Sequence, residues 1–331
     1  MTSVEELGSW GNETTFLLPA TKQPHTMSAL AQSKGQWPNG ARAAVAFTID
    51  NMGEAADLDR GLWPEEKPVG SHYSVNEVLP QMLDLLKRYG IPATYFVESW
   101  NLAVYPAAIK SIASAGNEVA WHAFRHEAWG KLSPESETDN FRRSFDAYAK
   151  FADGEGKGSV DRYHGFRPPG GTIHGQQTLK LCHEYGLDYV SPSAEDAALV
   201  KLEDGDDSIV VLPFKWRTVD AYYVMDSFEG LRKMKQELPA ETQSYDTVAQ
   251  SYIAEIDRAI ETGGYVSTLF HPFLSNSDEA FAAIDRVLKH MARQRDEGAI
   301  WLARCKDISD HIKAHPSIVG SDPKWDNSSW R

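Results

Sequence analysis

The sequence predicts a parallel α/β barrel, and three observations predict it. Short apolar runs bounded by turns recur along the chain, as strands covered on both faces do. Helical stretches with one apolar face lie between them, so that strand and helix alternate about seven times. Polar residues with chemical capacity stand directly after several of these runs: Asp50 and Asn51, His122, Arg167, His271. Strand ends are where α/β enzymes gather their chemistry, and a scatter over several ends favours a barrel over an open sheet.

The elements follow in order. Residues 1–40 are polar and interrupted by Pro19, Pro24 and Pro38, which predicts an N-terminal arm that wraps the domain or a partner subunit. The turn at 37–40 leads into the first strand, 43–49. A connection of roughly twenty residues, 55–72, is long for a compact domain and is a candidate substrate lip. Ser74 caps a helix to Tyr89 with Val75, Val78, Leu79, Met82, Leu85 and Leu86 on one face, and Gly90 stops it. Strands are expected at 93–97, 117–121, 163–166, 187–190, 208–212, 264–270 and 299–302. Helices are expected at 106–115, from Ser133 to 152, and at 176–185, 245–262, 278–294 and 307–314. With no linker near the middle, one barrel domain is expected over 41–315, followed by a peripheral polar tail over 316–331.

The bulk numbers exclude more than they identify. Of 331 residues, 42% are hydrophobic and 24% charged, values of an ordinary globular protein. A net charge of -14 argues against nucleic acid and against an anionic membrane surface. Cys182 and Cys305 form no CxxC pattern, so no disulfide framework is expected. The first residues lack a basic start and an apolar core, and no run of about 18 apolar residues exists, so a cytoplasmic location is expected.

The densest chemical signal is His122-Ala123-Phe124-Arg125-His126. Four-residue spacing places two imidazoles on one face of a helical turn, close enough to share a cation. Taken with the other strand-end residues, the chain resembles the polysaccharide deacetylase family, carbohydrate esterase family 4, from about residue 41 to 312. The family's Thr-Phe-Asp-Asp block is similar to Thr48-Ile49-Asp50-Asn51, and its His-Ser/Thr-x-x-His block to His122 through His126. The Arg-x-Pro-x-Gly block corresponds to Arg167-Pro168-Pro169-Gly170. A looser Asp and Trp pair finds Trp216 and Asp220, and the Leu-x-His block finds Leu269-Phe270-His271.

The resemblance implies a distorted (β/α)7 barrel that hydrolyses an N-acetyl amide with a divalent metal, zinc in the first instance. It places Asp50 as general base, His271 as general acid, and Arg167 as the partner that orients Asp50. Asn51, His122 and His126 fall at the metal-ligand positions. Pro168, Trp216 and Tyr222 are candidate substrate contacts, with core packing the competing role for Trp216 and Tyr222.

Two departures stand out. Asn51 replaces an aspartate ligand, and a neutral amide oxygen binds a cation more weakly than a carboxylate does, which leaves open a second assignment with Asp50 as the ligand and the base role passing elsewhere, Glu54 being the candidate. Ala123 and Arg125 stand where small polar residues are usual. Three functions are therefore weighed. The first is a metal-dependent amide hydrolase acting on an N-acylated sugar or a small intracellular amide. The second is a cyclic amide or imide hydrolase resembling allantoinases, with or without metal, suggested by Asn51 and the lead-in from Trp37 to Arg42. The third and least favoured is a non-catalytic binding protein. A homo-oligomer formed through the N-terminal arm is a further expectation.

Overall fold

The computed structural model describes residues 35–203 and 205–326. Nine strands form one sheet: β1 (Ala43–Asp50), β2 (Ala93–Val97), β3 (Glu118–Trp121), β4 (Gly165–Phe166), β5 (Tyr189–Val190), β6 (Ala198–Lys201), β7 (Ser208–Val211), β8 (Tyr265–Phe270) and β9 (Ile300–Leu302). Their order is β6-β7-β5-β4-β3-β2-β1-β8, with β9 on β1. All pair parallel except β6, which is antiparallel to β7.

Two features distort the ring. β9 pairs with Ala43 to Val45 while β2 pairs with Phe47 to Asp50, so two strands divide one edge of β1. On the far side the sheet curls until Val219, in the segment after β7, bridges Leu269 of β8. The result is a distorted barrel of the (β/α)7 type.

Every residue of β1 is buried, and its side chains alternate between two packing layers. Ala43, Val45, Phe47 and Ile49 pack beneath the helices. Ala44 and Ala46 instead join Phe96, Ala120, Tyr189, Val210 and Tyr265. Small residues in this second layer leave room for a few large rings inside a narrow barrel.

The outer helices are α1 (Ala55–Asp59), α2 (Leu79–Tyr89), α3 (Asn101–Val104), α4 (Pro106–Ser114), α5 (Pro134–Asp153) and α6 (Gln176–Glu184). They continue with α7 (Asp220–Val224), α8 (Glu229–Lys235), α9 (Tyr245–Thr262), α10 (Asp278–Asp296) and α11 (Cys305–Ala314). Ser133 caps α5 by accepting from the Ser136 N–H at 3.2 Å, with Pro134 in the first turn. Gly90 ends α2 in the left-handed region at φ 60°. Cys305, the first residue of α11, donates its N–H to Thr94 and Lys306 donates its N–H to Glu118, which seats α11 across the N-terminal ends of β2 and β3. Among the described residues no helix is long and apolar enough to cross a membrane.

The structure differs from the sequence reading in several places. β6, α7 and α8 went unread, because four to seven residues are too few for a period to stand out. The helix from Ser74 opens as a π-turn over Ser74–Val78 before α2, where Pro80 has no N–H to offer. The connection at 55–72 holds α1, and its far end is tied down. Glu54, fully buried, accepts from the Gly70 N–H at 2.6 Å and from the Tyr105 hydroxyl. Glu54 is thus an anchor of this connection. Cys182 and Cys305 are both free and buried. Residues 1–34 of the expected arm, and with them any arm-exchange contact, lie outside the described residues. Trp37 is buried and donates to the Gly263 carbonyl at 3.1 Å. At the other end Gly320 bridges Ala198 and Trp325 bridges Ala194.

Candidate active site

Because the strands are parallel, the residues that follow them emerge on one face. Register decides which of them meet. Asp50 is level with Phe96, and Val97, Trp121 and Phe166 form one row across β2, β3 and β4. The next row is Glu98, His122 and Arg167. The pleat turns this row opposite to Trp121 and Phe166, which stack on each other at 4.2 Å in the helix-side layer. The β2–β3 ladder continues past the strands, Ser99 and Trp100 donating to the carbonyls of Ala123 and Phe124 at 3.0 Å each.

Arg167 is the hub of this face and is fully buried. One guanidinium nitrogen donates to Asp50 Oδ1 and to Thr48 Oγ1, both at 2.8 Å. Its Nε and the other terminal nitrogen donate to Ser191 Oγ at 3.1 and 3.0 Å, and that second nitrogen also reaches Ser267 Oγ at 3.1 Å. The guanidinium lies 4.0 Å from the centre of the Phe96 ring, which excludes water from beneath it. Asp50 is itself only 3% exposed, so the pair is a charge-assisted hydrogen bond in a dry setting.

His122 is buried, and its Nδ1 donates to the Arg167 carbonyl at 2.7 Å. That bond leaves Nε2 with its lone pair. Burial pushes the imidazole down to about 4 against the attraction of Asp50, so at neutral pH it is uncharged, the form a metal ligand needs.

His126 joins it by a different route from the one the spacing suggested. The segment is a turn with Ala123 at φ 67° and His126 at φ 68°, not a helical one. Glu127 holds this turn by accepting from the N–H groups of Phe124 and Arg125 at 3.1 and 2.9 Å. The two imidazole rings end 4.9 Å apart. On its outer side His126 Nδ1 accepts from Arg60 at 3.2 Å. Asn51 also takes a left-handed conformation, φ 56°, which asparagine tolerates better than most residues.

The sequence reading overlooked Glu98. It is fully buried, Oε2 accepts from Asn101 Nδ2 at 2.9 Å, and Oε1 has no hydrogen-bond partner among the described residues. Burial pushes its carboxyl well above the ordinary range. One ligand atom each from Glu98, His122 and His126 lie within 4.8 Å of one another. Two imidazoles and a carboxylate are a donor set that divalent cations take, and an orphaned buried carboxylate oxygen beside them is what a cation would satisfy. The residues present therefore fit a metal ion. Glu98 carried the same signal as the other candidates, a charged residue directly after an apolar run.

Across the face, His271 Nδ1 is bonded to Asp220 Oδ1 at 2.5 Å, and its backbone N–H donates to Asp220 Oδ2 at 2.8 Å. The Val219–Leu269 bridge brings Asp220 to this place. One carboxylate oxygen thus orients the imidazole while the other holds the backbone of the same residue, as in other acid–base histidines oriented by a carboxylate.

Asp50, Asn51, His122, His126, Pro168, Trp216 and His271 all line one cleft of about 60 Å³, together with Arg60. Phe214, Met225, Phe228 and Phe273 complete its apolar wall. Tyr222 does not line it. That side chain is fully buried between Trp216 and Tyr223, with ring centroids 6.2 and 5.8 Å away. Neither Ala123 nor Arg125 reaches the cleft wall either: Ala123 is buried, and Arg125 lies over Trp100. A larger cleft of about 520 Å³ opens beside the start of β8, among Trp37, Glu255, Arg258 and Tyr265, away from these groups.

The distorted parallel barrel thus presents an aspartate, paired imidazoles and a carboxylate-held histidine at its strand ends. Residues 41–190 match the family model for polysaccharide deacetylases.

A peptidoglycan deacetylase of Helicobacter pylori is 22% identical over 279 residues, 78% of this chain and 89% of that protein. A peptidoglycan deacetylase-like protein of Gibberella zeae is 30% identical over 128 residues, 38% of this chain and 36% of that one. Among solved structures, a polysaccharide deacetylase-type protein of Mycobacterium smegmatis superposes with a TM-score of 0.70 at 23% identity, covering 90% of this chain and 98% of that one. The Puue allantoinase superposes with a TM-score of 0.65 at 19% identity, covering 85% and 93%. At these identities the superpositions establish the fold.

Proposed function

We propose that the chain is a cation-assisted hydrolase of carbon–nitrogen bonds that removes the acyl group from an N-acylated sugar or another small amide inside the cell. The observation that carries this reading is the shared cleft. Asp50 on its Arg167 clamp, the His122 and His126 pair, and His271 on its Asp220 clamp all face the same space. A divalent cation, zinc in the first instance, held by the imidazoles and a neighbouring oxygen supplies a Lewis acid for the amide carbonyl. Asp50 Oδ1 is engaged by Arg167, so Oδ2 is the oxygen that takes the proton from the attacking water. His271 Nδ1 is engaged by Asp220, so Nε2 delivers a proton to the departing nitrogen. Trp216, Phe214 and Phe273 exclude water around the acyl group, and the narrow cleft suits a small acyl group.

The test is acetate release from a panel of N-acetylated sugars and linear amides, with and without a chelator, for the wild type, His122→Ala and Asp50→Ala. Turnover lost in both variants and with chelator supports the reading; a wild type inert towards the whole panel sinks it. The same small aromatic-walled cleft also suits a flat ring. A cyclic amide or imide such as allantoin or hydantoin is therefore the second substrate class, followed by loss of ring absorbance. Turnover of rings that persists after chelation, with linear amides inert, would replace the first reading with this one.

A further inference from the structure

We propose that Glu98 is the anionic ligand of the cation site, supplying from the end of β2 the charge that residue 51 does not supply from the end of β1. The inference rests on the cation-assisted reading above and concerns which residues build the site.

Asn51 lines the cleft with a neutral amide, so a cation held by His122, His126 and Asn51 alone would meet no negative charge among its ligands. A carboxylate donor adds to cation affinity a charge term that a neutral amide oxygen lacks. Glu98 stands in the same row as His122 by strand register, one residue past the Val97–Trp121 pair. Its carboxylate meets both imidazoles within 4.8 Å.

The two oxygens have separate tasks. Oε2 accepts from Asn101 Nδ2, and the same Asn101 nitrogen donates to the Met52 carbonyl at 2.7 Å, which ties Glu98 to the loop that follows Asn51. Oε1 has no hydrogen-bond partner among the described residues, although the side chain is fully buried. A buried carboxylate oxygen left unpaired is costly, and a cation between it and the imidazoles removes that cost. Asn101 then acts as the outer partner that orients a ligating carboxylate. Two imidazoles from the end of β3 and a glutamate from the end of β2 would make a His₂Glu set of the kind that divalent cations take.

The experiment measures binding, not turnover. Protein stripped with chelator is titrated with zinc against a chromophoric competitor, and reconstituted protein is analysed for metal content, with circular dichroism to verify the fold. The wild type is expected to hold about one zinc per chain. Glu98→Gln is expected to weaken binding by about a hundredfold or more, and Asn51→Gly, which suits the left-handed backbone, by less than about tenfold. Adding Asn51→Asp to Glu98→Gln should restore part of the loss.

Wild-type affinity in Glu98→Gln, with binding lost in His122→Ala, would overturn the proposal while leaving the cation-assisted reading intact. A hundredfold loss in Asn51→Gly would overturn it even if Glu98→Gln fails to fold. Absence of zinc binding by the folded wild type would overturn both.

Discussion

Replacing Arg167 with glutamine should lower folding stability by about 3–5 kcal/mol, the cost of breaking a buried ion pair from one side. The reasoning starts from burial. Arg167 is fully enclosed and Asp50 is 3% exposed, so neither charge has water to fall back on. Deleting the guanidinium removes donors from Thr48, Ser191 and Ser267 as well, but those hydroxyls can turn to one another or to carbonyls. Asp50 cannot, and its desolvated charge dominates the loss. At about 2–4 °C per kcal/mol for a domain approaching this size, the melting temperature should fall by about 6–20 °C. The decisive comparison is a double-mutant cycle. Asp50→Asn removes the charge, so Arg167→Gln should be milder by about 1.5–3 kcal/mol in that background. Urea denaturation of the four proteins, followed by circular dichroism with chelator present throughout, measures the coupling. Additivity within about 0.5 kcal/mol would refute the argument that charge burial, rather than packing, holds this pair together.

Three further outcomes are expected. His271→Ala should lower kcat by about 10²–10⁴ and Asp220→Asn by a smaller factor, both with little change in KM, if His271 works as the acid oriented by Asp220; a rise in KM alone would make it a binding residue. Arg60 can only donate to His126 Nδ1, which leaves the His126 proton on Nε2, so coordination through either nitrogen requires that bond to open. Arg60→Ala should therefore tighten zinc binding by about three- to tenfold in the competitor titration, and unchanged or weaker binding contradicts the geometry.

The third outcome concerns pH. The hydrogen bond to Asp188 raises the His164 imidazole above its ordinary value, against burial. Burial would raise the Asp188 carboxyl, but hydrogen bonds from His164 and Lys313 carry it below the ordinary carboxylate range. The histidine's contribution is full below about pH 6.5 and is lost as pH rises through its raised value. The aspartate's is full above about pH 4 and is lost as pH falls. Between those limits both act. From pH 6 to 9 the wild type should lose up to about 1 kcal/mol relative to His164→Gln, a modest figure because the cluster is partly solvated; parallel profiles would count against it.

The sequence revealed the strand ends better than the strands. Asp50, His122, Arg167 and His271 were legible because each is a charged or titratable residue placed directly after an apolar run, and parallel strands then deliver such residues to one face. The strands β4 and β5, two residues each, owe their place to neighbours more than to pattern, so their expected lengths were too great. The pairing of Asp220 with His271 spans 51 residues and depends on one bridge late in the barrel, which no local pattern announces. Tyr222 and Tyr223 are adjacent aromatic residues with no period to say which faces inward, and both face the core. The histidine pair was found for the right spacing and the wrong backbone: a left-handed turn braced by Glu127 brings the rings together.

The Arg167 clamp has a consequence for how such chains drift over time. Its side chain ties β1 to the region after β5 and to β8, while its carbonyl holds His122. A descendant that abandoned hydrolysis would feel little pressure to keep His271, whose imidazole is held at the rim by Asp220. The same descendant could not discard Asp50 without leaving a guanidinium stranded in the interior. Inert and active lineages should therefore share the Asp50–Arg167 pair alike, which makes it a poor diagnostic of turnover. The histidine at the rim, free to be lost, is the more informative residue to inspect when sorting working members from silent ones.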